Sequence, residues 1–283
     1  MTLSELGIGR KVYDRASGML FRVAGQDHYS AGITTLLANH VIGVRALDAA
    51  ETGSKGPLFE QSSIFGNNNY PLSNLHRWLN SGEADWYQPS HDRDTPPSAE
   101  HLRYGEHPYA AEPGFLCRFS QVFRDNLVET DIPVIVRKKR CEGELTTVKA
   151  AVFLPSRTEM NKGDEVGLAE GKTLPIFYDH YIFKATPSPD QIEQFGRSWN
   201  PEEPEKGLFF DRAQMYDPKF GWWYYMRTPN VQYKFLQRVM TAYGSVSFTY
   251  AYNDVVGIRP LINLRSDTPI QDVGIEEMLF RIG

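Results

Sequence analysis

The side chains best equipped for chemistry here are the histidines, the two cysteines and the aromatic residues, and spacing decides what each group can do. His91, His101 and His107 share one segment with Asp92, Asp94, Glu100 and Glu106, a donor set of the kind that holds cations. Metal sites built on loops use closer spacing, such as C-x2-C or H-x3-H, whereas nine and five residues separate these histidines. A solvated loop is the expectation, and no metal or other cofactor is assigned. His28, His40, His76 and His180 stand alone. A cysteine nucleophile needs a histidine brought near it and an electropositive setting. Cys117 falls on an amphipathic stretch and Cys141 lies between Arg140 and Glu142 in a turn, so both read as structural. The chain has no G-x-S-x-G elbow, P-loop or dinucleotide fingerprint. A protein without catalytic residues is expected.

The aromatic residues carry more information. Between Phe220 and Tyr252 lie 11 of the chain's 36 aromatics, and from Phe220 to Asn263 four basic residues (Arg227, Lys234, Arg238, Arg259) face one acid, Asp254. Alternation over 245–250 predicts a half-buried strand with Val246 and Phe248 on one face. Tyr with Ser, Asn and Thr is the composition of an adaptable binding surface, because tyrosine offers contact area at small entropic cost. The same residues could equally form an aromatic core with hydroxyls at its rim. That core reading is favoured for Trp222 and Trp223, and the two remain open for Tyr233, Phe235, Tyr250 and Tyr252.

The elements that must hold these residues read as α+β. Short β segments at 11–13, 19–24 and 34–44 are followed by a loop over 51–71 containing Asn67-Asn68-Asn69. Ser73 caps a short helix in which Leu75, Trp78 and Leu79 share a face, with Gly82 at its end. Residues 88–114 are polar and contain Pro96-Pro97, the pattern of a long surface loop. A second helix is predicted over 114–126, from Leu116, Phe119, Phe123 and Leu127. A strand at 132–137 turns at 138–144 into a nearly all-apolar strand, 148–154, placed at a sheet centre. Ser156 and Glu159 have capping-box spacing. Strands close the chain at 222–227, 237–242, 245–250 and 255–264.

Composition bounds the function classes. The chain has 283 residues, is 41% hydrophobic and carries a net charge of -5, which excludes disorder and disfavours a nucleic-acid partner. Two cysteines cannot build a disulfide framework or a four-cysteine zinc site. No apolar run approaches 18 residues, so no membrane insertion is expected. The first residues lack a basic region and apolar run, so no secretory signal is expected and synthesis in a cytoplasm follows.

Four words of sequence, in order, carry a resemblance. Ser73-Asn74-Leu75-His76-Arg77-Trp78-Leu79-Asn80 resembles S-x-L-R-x-W-L-N, and Ala151-Val152-Phe153-Leu154-Pro155-Ser156 with Glu159 resembles V-F-L-L-S-x-x-E. Gly221-Trp222-Trp223-Tyr224-Tyr225-Met226-Arg227-Thr228-Pro229 resembles W-W-L-R-S-P, and Gly257-Ile258-Arg259-Pro260-Leu261-Ile262-Asn263-Leu264 resembles G-V-R-P-A-L-x-L. Together they are similar to a bacterial and phage domain family of unassigned function with a C-type-lectin-like fold. That family is related to formylglycine-generating enzymes and to the variable proteins of diversity-generating retroelements. The resemblance implies one domain over 1–283, with mixed and antiparallel sheets, two short helices and loop insertions at about 83–113 and 185–206. Trp78, Leu79, Trp222, Trp223, Arg227, Gly257, Arg259 and Pro260 would be scaffold. Arg227 and Arg259, each near a proline, suit buried guanidinium groups that tie loops through carbonyls.

By the same resemblance, ligand contacts would come from Asn230, Gln232, Tyr233, Phe235, Gln237, Thr249, Tyr250, Tyr252 and Asn253. The late cysteine pair of the formylglycine-generating group and the histidine triad of its sulfoxide-synthase relatives are not evident. Tyr252-Asn253-Asp254 echoes only half of a calcium-lectin signature. The expected function is a non-enzymatic phage or prophage virion protein (a fibre, tail-tip or capsid-attached component) that binds a host-surface glycan or protein. Its other partners would be virion proteins and further copies of itself. A purely structural decoration module and a formylglycine-generating-like metal oxidoreductase are the alternatives.

Overall fold

In the computed structural model, residues 1–53, 57, 60–187, 216–217, 221–273 and 279–282 are described. Alternation builds the first strand: β1 (Lys11–Asp14) buries Val12 and Asp14 and turns Lys11 and Tyr13 outward. It is followed by β2 (Leu20–Gln26) and by β3 (Ile33–Ala38), in which every residue is buried. Three short helices come next, α1 (Ser62–Phe65), α2 (Asn74–Leu79) and α3 (Gln121–Asp125). Then follow β4 (Thr130–Lys139), β5 (Glu142–Ala150), β6 (Val152–Phe153), β7 (Tyr216–Asp217), β8 (Gly221–Trp222) and β9 (Tyr224–Pro229). The chain closes with β10 (Leu236–Met240), β11 (Val246–Tyr250), β12 (Leu261–Arg265), β13 (Ile270–Asp272) and β14 (Leu279–Ile282).

A seven-stranded sheet in the order β13-β14-β1-β2-β3-β12-β6 forms the base, with β1 and β14 parallel and every other pair antiparallel. Its apolar face shares one core with α2, the 115–123 segment and a three-stranded sheet, β11-β10-β9. The architecture is α+β, mostly strand. Among the described residues, no helix is long and apolar enough to cross a membrane.

Ser73 does cap α2, accepting the His76 amide at 3.2 Å. The helix ends at Asn80 rather than near Gly82, and Asn80 has a second task. The apolar stretch 148–154 does not occupy a sheet centre: β5 ends at Ala150, and β6 is the edge strand beside β12. Its apolarity reflects an edge that is covered. Asn80 accepts the amides of Ala151 and Val152 and donates to Val152 O at 2.7 Å, while the Tyr70 hydroxyl accepts the Leu154 amide at 3.1 Å. These side chains replace the missing neighbour strand.

Three further expectations are corrected. The helix over 114–126 is two pieces, a 3-10 turn at Phe115–Arg118 and then α3, because Phe119 is extended and Ser120 caps a new start. Breaking there lets Phe119 stack on Phe123 at 4.3 Å while meeting Phe115 edge-on at 5.1 Å. The 88–114 segment lacks regular structure apart from a 3-10 turn at Ala99–His101, yet it is not merely a surface loop. Trp86 and Tyr109 are buried and stacked, and the Tyr109 hydroxyl donates to Ala46 O at 3.0 Å. Residues 41–44 form bridges to Pro187 and Gly257 rather than a strand. Most of the 185–206 insertion, 188–206, lies outside the described residues, as does Phe220.

Candidate functional site

Three of the four sequence words meet at two buried arginines, Arg227 and Arg259. Ser156 and Glu159 exchange both bonds of a capping box, at 3.0 and 3.1 Å, but around a single turn and not at the start of the short helix that such a box opens. The Glu159 carboxylate, fully buried, receives Arg227 in a two-bond fork at 2.6 Å on each arm. The other Arg227 donors reach Pro133 O, Leu154 O and Glu170 O, so all five N–H groups are used. Tyr29 adds its hydroxyl to Glu159 at 2.5 Å. Arg259, also buried, ties Ala38 O to Ile182 O and lies over the Tyr224 ring.

The remaining scaffold words behave alike. Gly257 leaves no room for a side chain, since a Cβ there would sit 2.7 Å from both Trp223 O and Val41 Cγ1. The carbonyl of Pro260 accepts the Ala38 amide at 2.9 Å. Trp78 and Leu79 are buried, with Trp78 Nε1 donating to Pro113 O, and buried Trp222 donates to Val255 O. Trp223 is half-buried, and its Nε1 is buried without a hydrogen-bond partner.

The nine candidate ligand residues split into two sets. Asn230, Phe235, Gln237, Thr249 and Asn253 are buried and, as they stand, cannot touch a ligand. On β10 and β11 polar residues share the inward side with buried Val239: Gln237 faces Thr249 across the ladder, and its Nε2 donates to Met226 O at 2.6 Å. Asn253 donates to Thr249 Oγ1 and accepts the Val255 amide. Asn230 accepts the Gln232 amide at 2.9 Å, which shapes the turn before β10. The half-signature at 252–254 is likewise spent internally, because Asp254 receives the amides of Tyr104, Glu106 and His107. No group of three or more His, Cys, Asp or Glu among the described residues could hold a metal ion.

The outward set, Tyr233, Tyr250 and Tyr252, gathers with exposed Gln232 at the end of the three-stranded sheet. Their organiser is a residue that the motifs do not include. Phe65 at the end of α1 stacks on Tyr250 at 4.8 Å, meets Phe235 at 4.8 Å and stands edge-on to Tyr252 at 5.9 Å. Tyr233 joins through Phe235 at 5.5 Å, and the Arg103 guanidinium lies 5.2 Å over Tyr250. Arg103 comes from the 83–113 segment, and its amide donates to Tyr252 O. The patch is fixed from below by the buried Tyr225 hydroxyl, which reaches Tyr250 O at 2.8 Å and Asn253 O at 3.0 Å. Burial holds the Tyr252 phenol above its ordinary pKa. Rings partly open to solvent on a pinned backbone can stack on a flat or apolar ligand surface and offer hydroxyls at its rim. Phe248 and Tyr243, on the same hairpin, are half-exposed or more and outside this cluster. No local pattern marks Phe65 or Arg103, because each reaches the patch only through the fold.

The family described as Domain of unknown function (DUF6273) matches residues 34–266. No curated protein and no solved structure matches the chain.

Proposed function

The chain belongs to this DUF6273 family, and from that premise we propose that it is a non-catalytic binding module. In this reading the fold is C-type-lectin-like and the Tyr233–Tyr250–Tyr252 face attaches a phage or prophage virion to a host surface. The observation that carries it is the cluster around Phe65: partly exposed aromatic rings on a backbone pinned by Tyr225. The lectin-like description is supported by the pairing of β1 with β14 and by the small separate sheet that carries the binding segment. The virion setting is supported by the resemblance of the four sequence words.

The test is direct. Labelled protein is mixed with cell envelopes from a panel of bacteria, alongside a Tyr233→Ala, Tyr250→Ala, Tyr252→Ala variant. Wild-type protein is expected to bind a subset of envelopes, and the variant to bind none while melting within a few degrees of wild type. A large fall in Tm, or equal binding by both proteins, sinks the proposal. The second reading, an assembly module, is favoured by one feature: β5 is mostly exposed, and its outer edge pairs with no described strand. A mass measurement in solution that finds a stable oligomer, lost on placing proline in β5, would favour it.

A further inference from the structure

The run Asn67-Asn68-Asn69 has a consequence beyond the loop it occupies. Asn68 Nδ2 contacts three carbonyls, those of Asn230 and Tyr233 in the turn before β10 and of Leu236 at its start, at 2.7 to 3.0 Å. This clasp holds Lys234 at the wall of a cavity of about 370 Å3, within the range of small-molecule sites. The wall is polar, with Leu72 its one apolar side chain among the described lining residues.

Some of the wall's charge is already committed. Arg137 forks onto Glu60 at 2.6 and 3.1 Å and also donates to Val231 O, which fixes both groups. Glu51 is buried, accepts Asn67 Nδ2 at 2.7 Å and the Ser62 hydroxyl, and faces His91 at 3.4 Å. Lys138 pairs with Glu144. Two cations on the wall, Arg93 and Lys234, have no acidic partner among the described residues. Asn69 Oδ1 is buried and accepts no hydrogen bond. A buried acceptor without a donor is unfavourable, and a bound hydroxyl would relieve it.

We propose that this cavity binds a monoanionic, polyhydroxylated small molecule, the chemistry of a carboxylated sugar. Lys234 and Arg93 take the carboxylate, and Asn69 takes a hydroxyl. Glu51 and Glu60 accept hydrogen bonds from the ligand's hydroxyls. The polar wall excludes an apolar ligand. The assignment rests on the binding-module reading, because Lys234 lies between Tyr233 and Phe235 of the aromatic face.

Galacturonate, glucuronate and N-acetylneuraminate are titrated into the full chain by NMR, with galactose, glucose and inorganic phosphate as controls. At least one carboxylated sugar is expected to shift the amides of 67–69 and 234 and to bind at least tenfold more tightly than any control. The Arg93→Met, Lys234→Met double variant is expected to lose that affinity at least tenfold with its Tm unchanged, and Asn69→Asp to weaken it by charge repulsion. Equal affinity for neutral sugars, tighter binding of phosphate, or indifference to the double variant overturns the assignment. If no carboxylated sugar binds while tyrosine-dependent binding to envelopes persists, the subsite is wrong and the binding module stands.

Discussion

Arg227 and Lys234 lie seven residues apart and live under opposite conditions. Every donor of Arg227 is used and the residue is fully buried, whereas Lys234 is half-buried beside a cavity without an acidic partner among the described residues. The first arrangement is a closed polar network, costly to open from any side. The second leaves charge and hydrogen-bonding capacity unspent. The contrast separates residues that keep the shape from residues available to a ligand, although both are polar and both lie near the recognised words.

The largest effect is expected from Arg227→Met, which leaves the Glu159 carboxylate buried without its counter-charge. A loss of about 3–5 kcal/mol is expected in urea unfolding, and a loss near 1 kcal/mol would mean that the network is not closed. Glu170 comes next. Burial pushes its carboxyl up to about 7 despite the bonds from Thr228 and the Ile135 amide and the nearby Arg227. The folded state therefore holds a proton that the unfolded chain, titrating near 4.5, releases, so this contribution is present at pH 5 and is lost as pH rises towards 8. The change is roughly 2–3 kcal/mol, and Glu170→Gln should flatten it; an unchanged slope would assign the pH dependence elsewhere. Gly257→Ala should cost about 1–3 kcal/mol through contacts that the backbone of Trp223 cannot relieve. Smallest is Tyr252→Ala, expected to lower stability by about 1 kcal/mol while removing binding to envelopes. If it destabilises as much as Gly257→Ala, the aromatic face belongs to the scaffold.

What the sequence made legible follows from how far each signal reaches. Ser73, the Ser156–Glu159 pair and the two buried arginines were readable because caps and guanidinium groups near prolines carry local rules. The partner of Arg227 was not, since nothing local ties 227 to 159. Alternation identified β11 but not which side faced the core, and the polar Gln237 and Thr249 took the inside. A polar residue there pairs with a carbonyl or another side chain, which composition cannot anticipate. Residues 88–114 read as surface because their prolines and histidines outnumber their apolar residues, yet buried Tyr109, stacked on Trp86 just before the segment, suffices to anchor it. The aromatic patch was half legible: its tyrosines stood out, while Phe65 and Arg103 arrive from distant segments.

The parallel pairing of β1 with β14 has a mechanical consequence. Lys11 lies opposite Leu279 and Asp14 opposite Ile282, so the chain enters β1 at one end of this ladder and leaves β14 at the other. A pull applied upstream of β1 and downstream of β14 therefore slides the two strands past each other. The ladder's hydrogen bonds then bear the load together instead of opening one at a time.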